Sequence, residues 1–437
     1  MQEKPQTKLT KDQIQALVLL STGVFLVDFD RMLYAYMSPY LNNLFFSQTD
    51  HFINSLIPAF AFCSNYFLAP LGAIFFGRLA DISGRKALII LSSTLMAICS
   101  IILAFLPTYK QIGIAAPIIL IIVRMLQGMT AFVEFNGVEI YLTESTKPPV
   151  QYSVVALVSV FNKLGSLAAL GVAIFFSSHS MYQNFIHDPW RLAFLAGAVV
   201  GVVGAAARGS LKEATGLADR QQWLKTQFKK ANIEWSKTNL SINPKVPFAT
   251  SLAYFFINCA RPACFYIIFF YCAEVLHNTF GLNAKQVMQN NLLPAVLNLC
   301  TCLVICCLSY KIHPLKIIKF RLISFMMLIM CFPLVLHIWK KPQIVLLFQC
   351  IFTITRFDYI PAGAIFYKHF PTIKRFRYAS LINSLSMVFT TVLTSFGLTI
   401  LSKKFGHAGI LLVFIPFSAC FAWSLNYFKQ KEKPLTK

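Results

Sequence analysis

Within the stretch FLVDFDRMLYAYM, residues 25–37, two carboxylates and a guanidinium share four positions: Asp28, Asp30 and Arg31. Other apolar stretches carry Arg124, Glu134, Lys163, Arg261, Arg356 and Asp358. Buried carboxylates can take up and release protons, since desolvation favours their neutral form and a nearby arginine the charged one. A guanidinium can hold a carboxylate through two hydrogen bonds. The set therefore suits proton exchange and anion binding. Neither a nucleotide loop nor a nucleophile–base constellation accompanies it, so the sequence predicts neither an enzyme nor a cofactor. The run CTCLVICC (300–307) brings Cys302 and Cys306 onto one helical face, open to a soft metal, although packing of small apolar residues is the plainer reading.

The elements that must position these groups are membrane spans. Of the 437 residues 57% are hydrophobic and only 13% charged, against about 25% charged in ordinary soluble domains. All 12 cysteines fall in apolar runs, where a disulfide framework would place them in aqueous loops. The first apolar run is too long for a cleavable signal peptide. About twelve segments approach the ~20 residues that a crossing needs: 14–38, 56–79, 87–106, 113–142, 151–177, 191–207, 248–273, 287–309, 317–337, 343–367, 378–401 and 407–428. A polar segment, 208–245, divides them six and six.

The formal charge of +23 raises the question of nucleic acid. With the N-terminus inside, however, about 27 of the 39 basic residues fall in cytoplasmic segments and about seven in outer loops. The positive charge reads as a topology signal facing anionic lipid. Nucleic acid is not an expected partner, and both termini are expected in the cytoplasm.

Five basic residues remain inside spans: Arg31, Arg124, Lys163, Arg261 and Arg356. Asp28, Asp30, Glu134 and Asp358 accompany them, with Glu139 nearer the cytoplasmic end of its span. Buried ion pairs stabilise less than apolar packing, so similar depth predicts one shared, wet cavity. Asp28 and Arg31 share a helical face, as do Asp30 and Tyr34. Arg356 and Asp358, two apart on a helix, should point in nearly opposite directions. Arg124 and Glu134 stand about 15 Å apart along theirs. Most partners are expected from other helices.

The segment GRLADISGRKALI, 77–89, predicts a tight cytoplasmic turn between spans two and three. Gly77, Leu79, Asp81, Gly84, Arg85 and Lys86 resemble the loop motif of the major facilitator superfamily. RMLQGMTAFVEFNGVEIYLTE (124–144), HDPWRLAFLAG (187–197) and FPTIKRFRYASL (370–381) resemble its metabolite–proton symporter branch, which contains the proline/betaine and alpha-ketoglutarate permeases. Asp30 and Tyr34 match that branch's D-F-x-x-Y segment. Arg31 stands where an aromatic residue is usual, Phe132 and Val133 replace a glycine pair, and the second-half loop has decayed to LSYKIHPLK, 308–316.

The resemblance implies an all-α membrane protein of twelve transmembrane helices in two pseudo-symmetric halves. These are residues 1–207 and 248–437, joined by a cytoplasmic loop at 208–247. It implies alternating access across a bacterial inner membrane by a monomer, with spans one, four, seven and ten lining the cavity. The expected partners are the lipid bilayer, protons and a small-molecule substrate. Asp30 and Glu134 are the first candidates for the proton site, with Asp28 and Asp358 behind them. Arg31, Arg124 and Arg356 are expected to pair with substrate or proton site, with Lys163 and Arg261 as further candidates. A surplus of one positive charge among the nine favours uptake of a small carboxylate or zwitterion. A proton-driven exporter of drugs or siderophores, and a non-transporting membrane sensor, remain alternatives.

Overall fold

The computed structural model describes residues 6–46, 64–177, 189–209, 246–339, 341–371 and 375–432. Backbone polar groups find no water in hydrocarbon, so long apolar runs satisfy them internally as helices. The first bundle contains α1 (Lys11–Phe45), α2 (Ala69–Phe105), α3 (Ala115–Ser145), α4 (Val150–Ser177) and α5 (Pro189–Gly209). The second opens with α6 (Phe248–Tyr266), which continues through a π-helical turn, Ile267–Tyr271, into α7 (Cys272–Phe280). Then come α8 (Ala284–Lys311), α9 (Pro314–Ile338), α10 (Pro342–Thr355) and α11 (Gly363–Lys368). Last are α12 (Arg375–Val392), a second π-turn at Leu393–Gly397, α13 (Leu398–Phe405) and α14 (Gly409–Glu432). Among the described residues, six helical stretches are long and apolar enough to cross a membrane.

In the first bundle α1 packs chiefly on α4, and α2 on α3 and α5. In the second, α6 packs on α12 and α14, α8 on α10, and α9 on α14. The bundles meet along α4 with α8 and α2 with α12, while α11 reaches α3 and α4. Both described ends of the chain lie at one face. There the Gln6 N–H donates to the Pro148 carbonyl at 3.1 Å, and His313 stacks edge-on to Tyr152 and meets Glu432 at 3.4 Å.

Two expectations need correction. The turn predicted at 77–89 does not interrupt helical backbone, which runs from Ala69 to Phe105. The chain nevertheless reverses there. The Asn65 backbone lies against Gly128, and Ser100 accepts a hydrogen bond from neighbouring Gln127, whereas a straight helix would separate Asn65 and Ser100 by about 50 Å. Second, span ten is broken: α10 ends at Thr355 and α11 begins at Gly363. Non-helical backbone at Arg356–Asp358 frees both side chains to turn towards each other, against the opposed directions that a helix predicts. Of the predicted loop signature, the side chains of Asp81, Gly84, Arg85 and Lys86 lie outside the described residues, as does the central segment beyond Gly209.

Candidate functional site

Between the bundles lie two adjoining cavities, with about 510 and 390 Å³ of empty space, open solvent included. Asp28, Arg31 and Arg261 line both; Lys163 and Arg356 line the larger and Asn162 the smaller. Arg31 forms an ion pair with Asp28 one turn away on α1. Arg261 precedes Pro262, whose missing N–H and bulky ring disturb the helix locally, and the π-turn follows within one further turn. Its Nη1 donates to the Tyr359 hydroxyl at 3.2 Å and its Nη2 to Asn162 Oδ1 at 2.9 Å, with the guanidinium 4.4 Å from the centre of the Phe135 ring. Lys163 Nζ donates to the same Asn162 oxygen at 3.1 Å. Arg356 grips Asp358 Oδ2 through Nη2 at 2.6 Å and Nε at 3.1 Å, while Arg321 Nη1 donates to Oδ1 at 3.3 Å.

A second polar group lies wholly within the first bundle. Ser100 donates to Asp30 Oδ2 at 2.9 Å, Gln127 to the Ser100 oxygen at 3.4 Å, and Arg124 to the Gln127 carbonyl oxygen at 2.9 Å. The Arg124 guanidinium also sits 4.1 Å from the centre of the Tyr34 ring. Arg124 and Asp30 are thus linked through two neutral side chains and make no ion pair. Among the described residues Asp30 Oδ1 has no hydrogen-bond partner, and it faces Gly197 of α5, where a Cβ would collide with it. Glu134 accepts from Ser92 at 3.3 Å. Asp30, Tyr34, Arg124 and Glu134 line neither cavity. The single shared cavity expected from equal depth therefore gives way to two groups, because side chains two apart on a helix diverge by about 200°.

Towards the face that holds the chain ends, the bundles are stitched together. Tyr367 and Tyr359 donate to Glu139 Oε2 at 2.7 and 3.3 Å, and Asn383 donates to Asn136 Oδ1 at 2.8 Å. Arg375 pairs with Glu144 at 2.9 Å, and the Ser153 and Ser309 hydroxyls meet at 3.3 Å. These contacts form a floor beneath the cavities. Gly77 belongs to the same seam, with Phe376 and Arg377 about 4 Å from where its Cβ would stand.

Sequence reasoning missed the tyrosine clasp on Glu139, since no spacing links residues more than 200 positions apart. It also left Arg321 out of the basic residues inside spans, although the segment 317–337 contains it. Pro314 at the first helical position carried the missing signal, because Arg321 then lies about 10 Å inside the helix.

The sequence model described as Major Facilitator Superfamily matches residues 20–389. The proline/betaine transporter of Salmonella typhimurium is 27% identical over 199 residues, 46% of this chain and 40% of that protein. The alpha-ketoglutarate permease of Escherichia coli is 29% identical over 279 residues, 63% and 61% of the two chains. The chain thus spans less than two thirds of the length of these relatives. Among solved structures, the proton:xylose symporter XylE bound to 6-bromo-6-deoxy-D-glucose superposes with a TM-score of 0.76 at 12% identity, over 96% of this chain and 95% of that one. At that identity the likeness concerns the fold.

Proposed function

The chain belongs to the major facilitator superfamily, and from that premise we propose that it is a secondary active transporter. It takes up a small carboxylate or zwitterionic metabolite together with protons, by alternating access across the bacterial inner membrane. The observation that carries this reading is the central cavity, where Arg31, Lys163, Arg261 and Arg356 converge above a closed floor. Among the described residues Asp28 and Asp358 pair with Arg31 and Arg356, whereas Lys163 and Arg261 are held by neutral groups. Burying cations without counter-charge is costly, and an anionic group on the substrate offsets it. The names of the relatives, a proline/betaine transporter and an alpha-ketoglutarate permease, agree with that class.

Residues 1–207 and 248–437 act as the two rocking halves, joined by the cytoplasmic segment 208–247. The face holding both chain ends is cytoplasmic, as the Lys and Arg distribution supports; the stitched floor then makes this the state closed to the cytoplasm. Asp30 is the proton-exchanging carboxylate, with Glu134 below it, and Arg124 and Tyr34 set its surroundings. Arg31, Lys163, Arg261 and Arg356 meet the substrate, with Asp28 and Asp358 orienting two of them. Gly77, Asp81, Gly84, Arg85 and Lys86 belong to the cytoplasmic gate. The protein works as a monomer.

Proteoliposomes holding the purified protein test the reading. An imposed pH gradient, acidic outside, should drive accumulation of a labelled carboxylate or zwitterion. Arg31→Ala should abolish it while the protein still reaches the membrane. Accumulation that ignores the gradient, or survives intact in Arg31→Ala, contradicts the mechanism.

A further inference from the structure

The oxygen of Asn162 serves two cations from opposite bundles. Lys163 of α4 donates to it at 3.1 Å and Arg261 of α6 at 2.9 Å. Their nitrogens therefore stand no more than 6.0 Å apart, the sum of those two lengths. Among the described residues neither makes an ion pair with a carboxylate: Lys163 has Asn162, and Arg261 has Asn162, the Tyr359 hydroxyl and the Phe135 ring. Both side chains are more than nine-tenths buried and both line the larger cavity. Two like charges sharing one neutral acceptor repel each other strongly when solvent is scarce. The arrangement is built for an anion between them.

A second vacancy for charge lies in the same cavity. Arg356 lines it, is 3% exposed, and spends Nε and Nη2 on Asp358; its buried Nη1 has no hydrogen-bond partner among the described residues. The formal charges agree with a double requirement. Of the four cations that line the larger cavity, Arg31 and Arg356 pair with Asp28 and Asp358, while Lys163 and Arg261 have no carboxylate partner among the described residues. Two positive charges are thus left unmatched. A monocarboxylate would cancel one and a zwitterion neither.

We propose that the substrate is a dianion, a small dicarboxylate. One carboxylate bridges Lys163 and Arg261 across the two bundles, and the other meets Arg356 Nη1. Lys163 is then a specificity-determining residue, separating dianions from singly charged or zwitterionic compounds. The inference rests on the carrier reading for its biological sense, but it concerns binding and can fail separately.

The test is equilibrium binding by thermal shift and by competition, using the purified full chain with succinate, butyrate and glycine betaine as probes. Succinate should bind about tenfold or more tightly than butyrate or betaine, the factor that one hydrogen bond to a charged group supplies. Lys163→Gln should remove most of that margin, and Lys163→Arg should keep it. Betaine or butyrate binding as well as succinate overturns the proposal. So does binding of none of the three, or a Lys163→Gln variant that weakens succinate and butyrate alike. If proteoliposomes accumulate betaine and not succinate, the dianion inference falls and the carrier stands. If succinate binds with its margin but no pH gradient accumulates it, the carrier reading falls and the dianion site stands.

Discussion

Asp28 and Asp30 stand two residues apart on α1 and face opposite ways, Asp28 into the central cavity beside Arg31 and Asp30 into a closed group with Ser100. Little more than half a turn of helix thus separates a carboxylate that lines the cavity from one that does not.

Asp30→Asn should retain substrate binding and counterflow exchange but lose accumulation driven by a pH gradient. The amide oxygen can still accept the hydrogen bond from Ser100 but the group can no longer carry a proton, while the cavity residues are untouched. Comparing exchange with gradient-driven uptake in the same vesicles checks it. Equal accumulation by variant and wild type would place the proton elsewhere.

Gly197→Ala should destabilise the first bundle by about 1–3 kcal/mol, as overpacking of a dense interior does. The added methyl would collide with Asp30 Oδ1. Thermal unfolding in detergent measures the loss, and Asp30→Ala in the same chain should recover part of it. An additive double variant would deny the contact.

Asp358→Ala should be among the most damaging single substitutions, at about 3–5 kcal/mol, because it leaves buried charges without their partner. Both Arg356 and Arg321 bind this carboxylate. Expression level and melting temperature report the effect.

Tyr367→Phe and Arg375→Ala should each loosen the floor. The first removes the 2.7 Å hydrogen bond to buried Glu139 and the second the ion pair with Glu144. Hydrogen bonds to charged groups are worth about 1.5–3 kcal/mol, so the open population should rise by roughly tenfold or more. Cys306, whose Sγ lies 3.1 Å from the Ser153 carbonyl in the seam between α4 and α8, is the reporter. Its labelling by a water-soluble maleimide, located by peptide mass, should accelerate in both variants.

Much of this architecture was legible in the chain because lipid imposes a simple code. Long apolar runs had to be helices, and the charges inside them had to face away from lipid. The i, i+3 spacing gave the Asp28–Arg31 pair, and Gly197 of the WRLAFLAG stretch now has a reason, since a side chain there would strike Asp30. What stayed hidden depends on where helices stop and on contacts between distant segments. Equal depth could not separate Asp28 from Asp30 into different compartments. The break after Thr355 let Arg356 and Asp358 meet, against a helical expectation, and Tyr367 found Glu139 across 228 positions of sequence.

The knot of Arg356, Asp358 and Arg321 ties the interrupted span to its neighbour α9 inside one bundle, and the chain from Arg124 to Asp30 is likewise internal to the other. Swinging the bundles apart at the floor therefore ruptures none of these strong internal ties. It unfastens a short row of side-chain latches, the Arg375–Glu144 pair among them, that can be refastened once per cycle. The molecule is divided between parts too stiffly charged to deform and a zip weak enough for thermal motion to open.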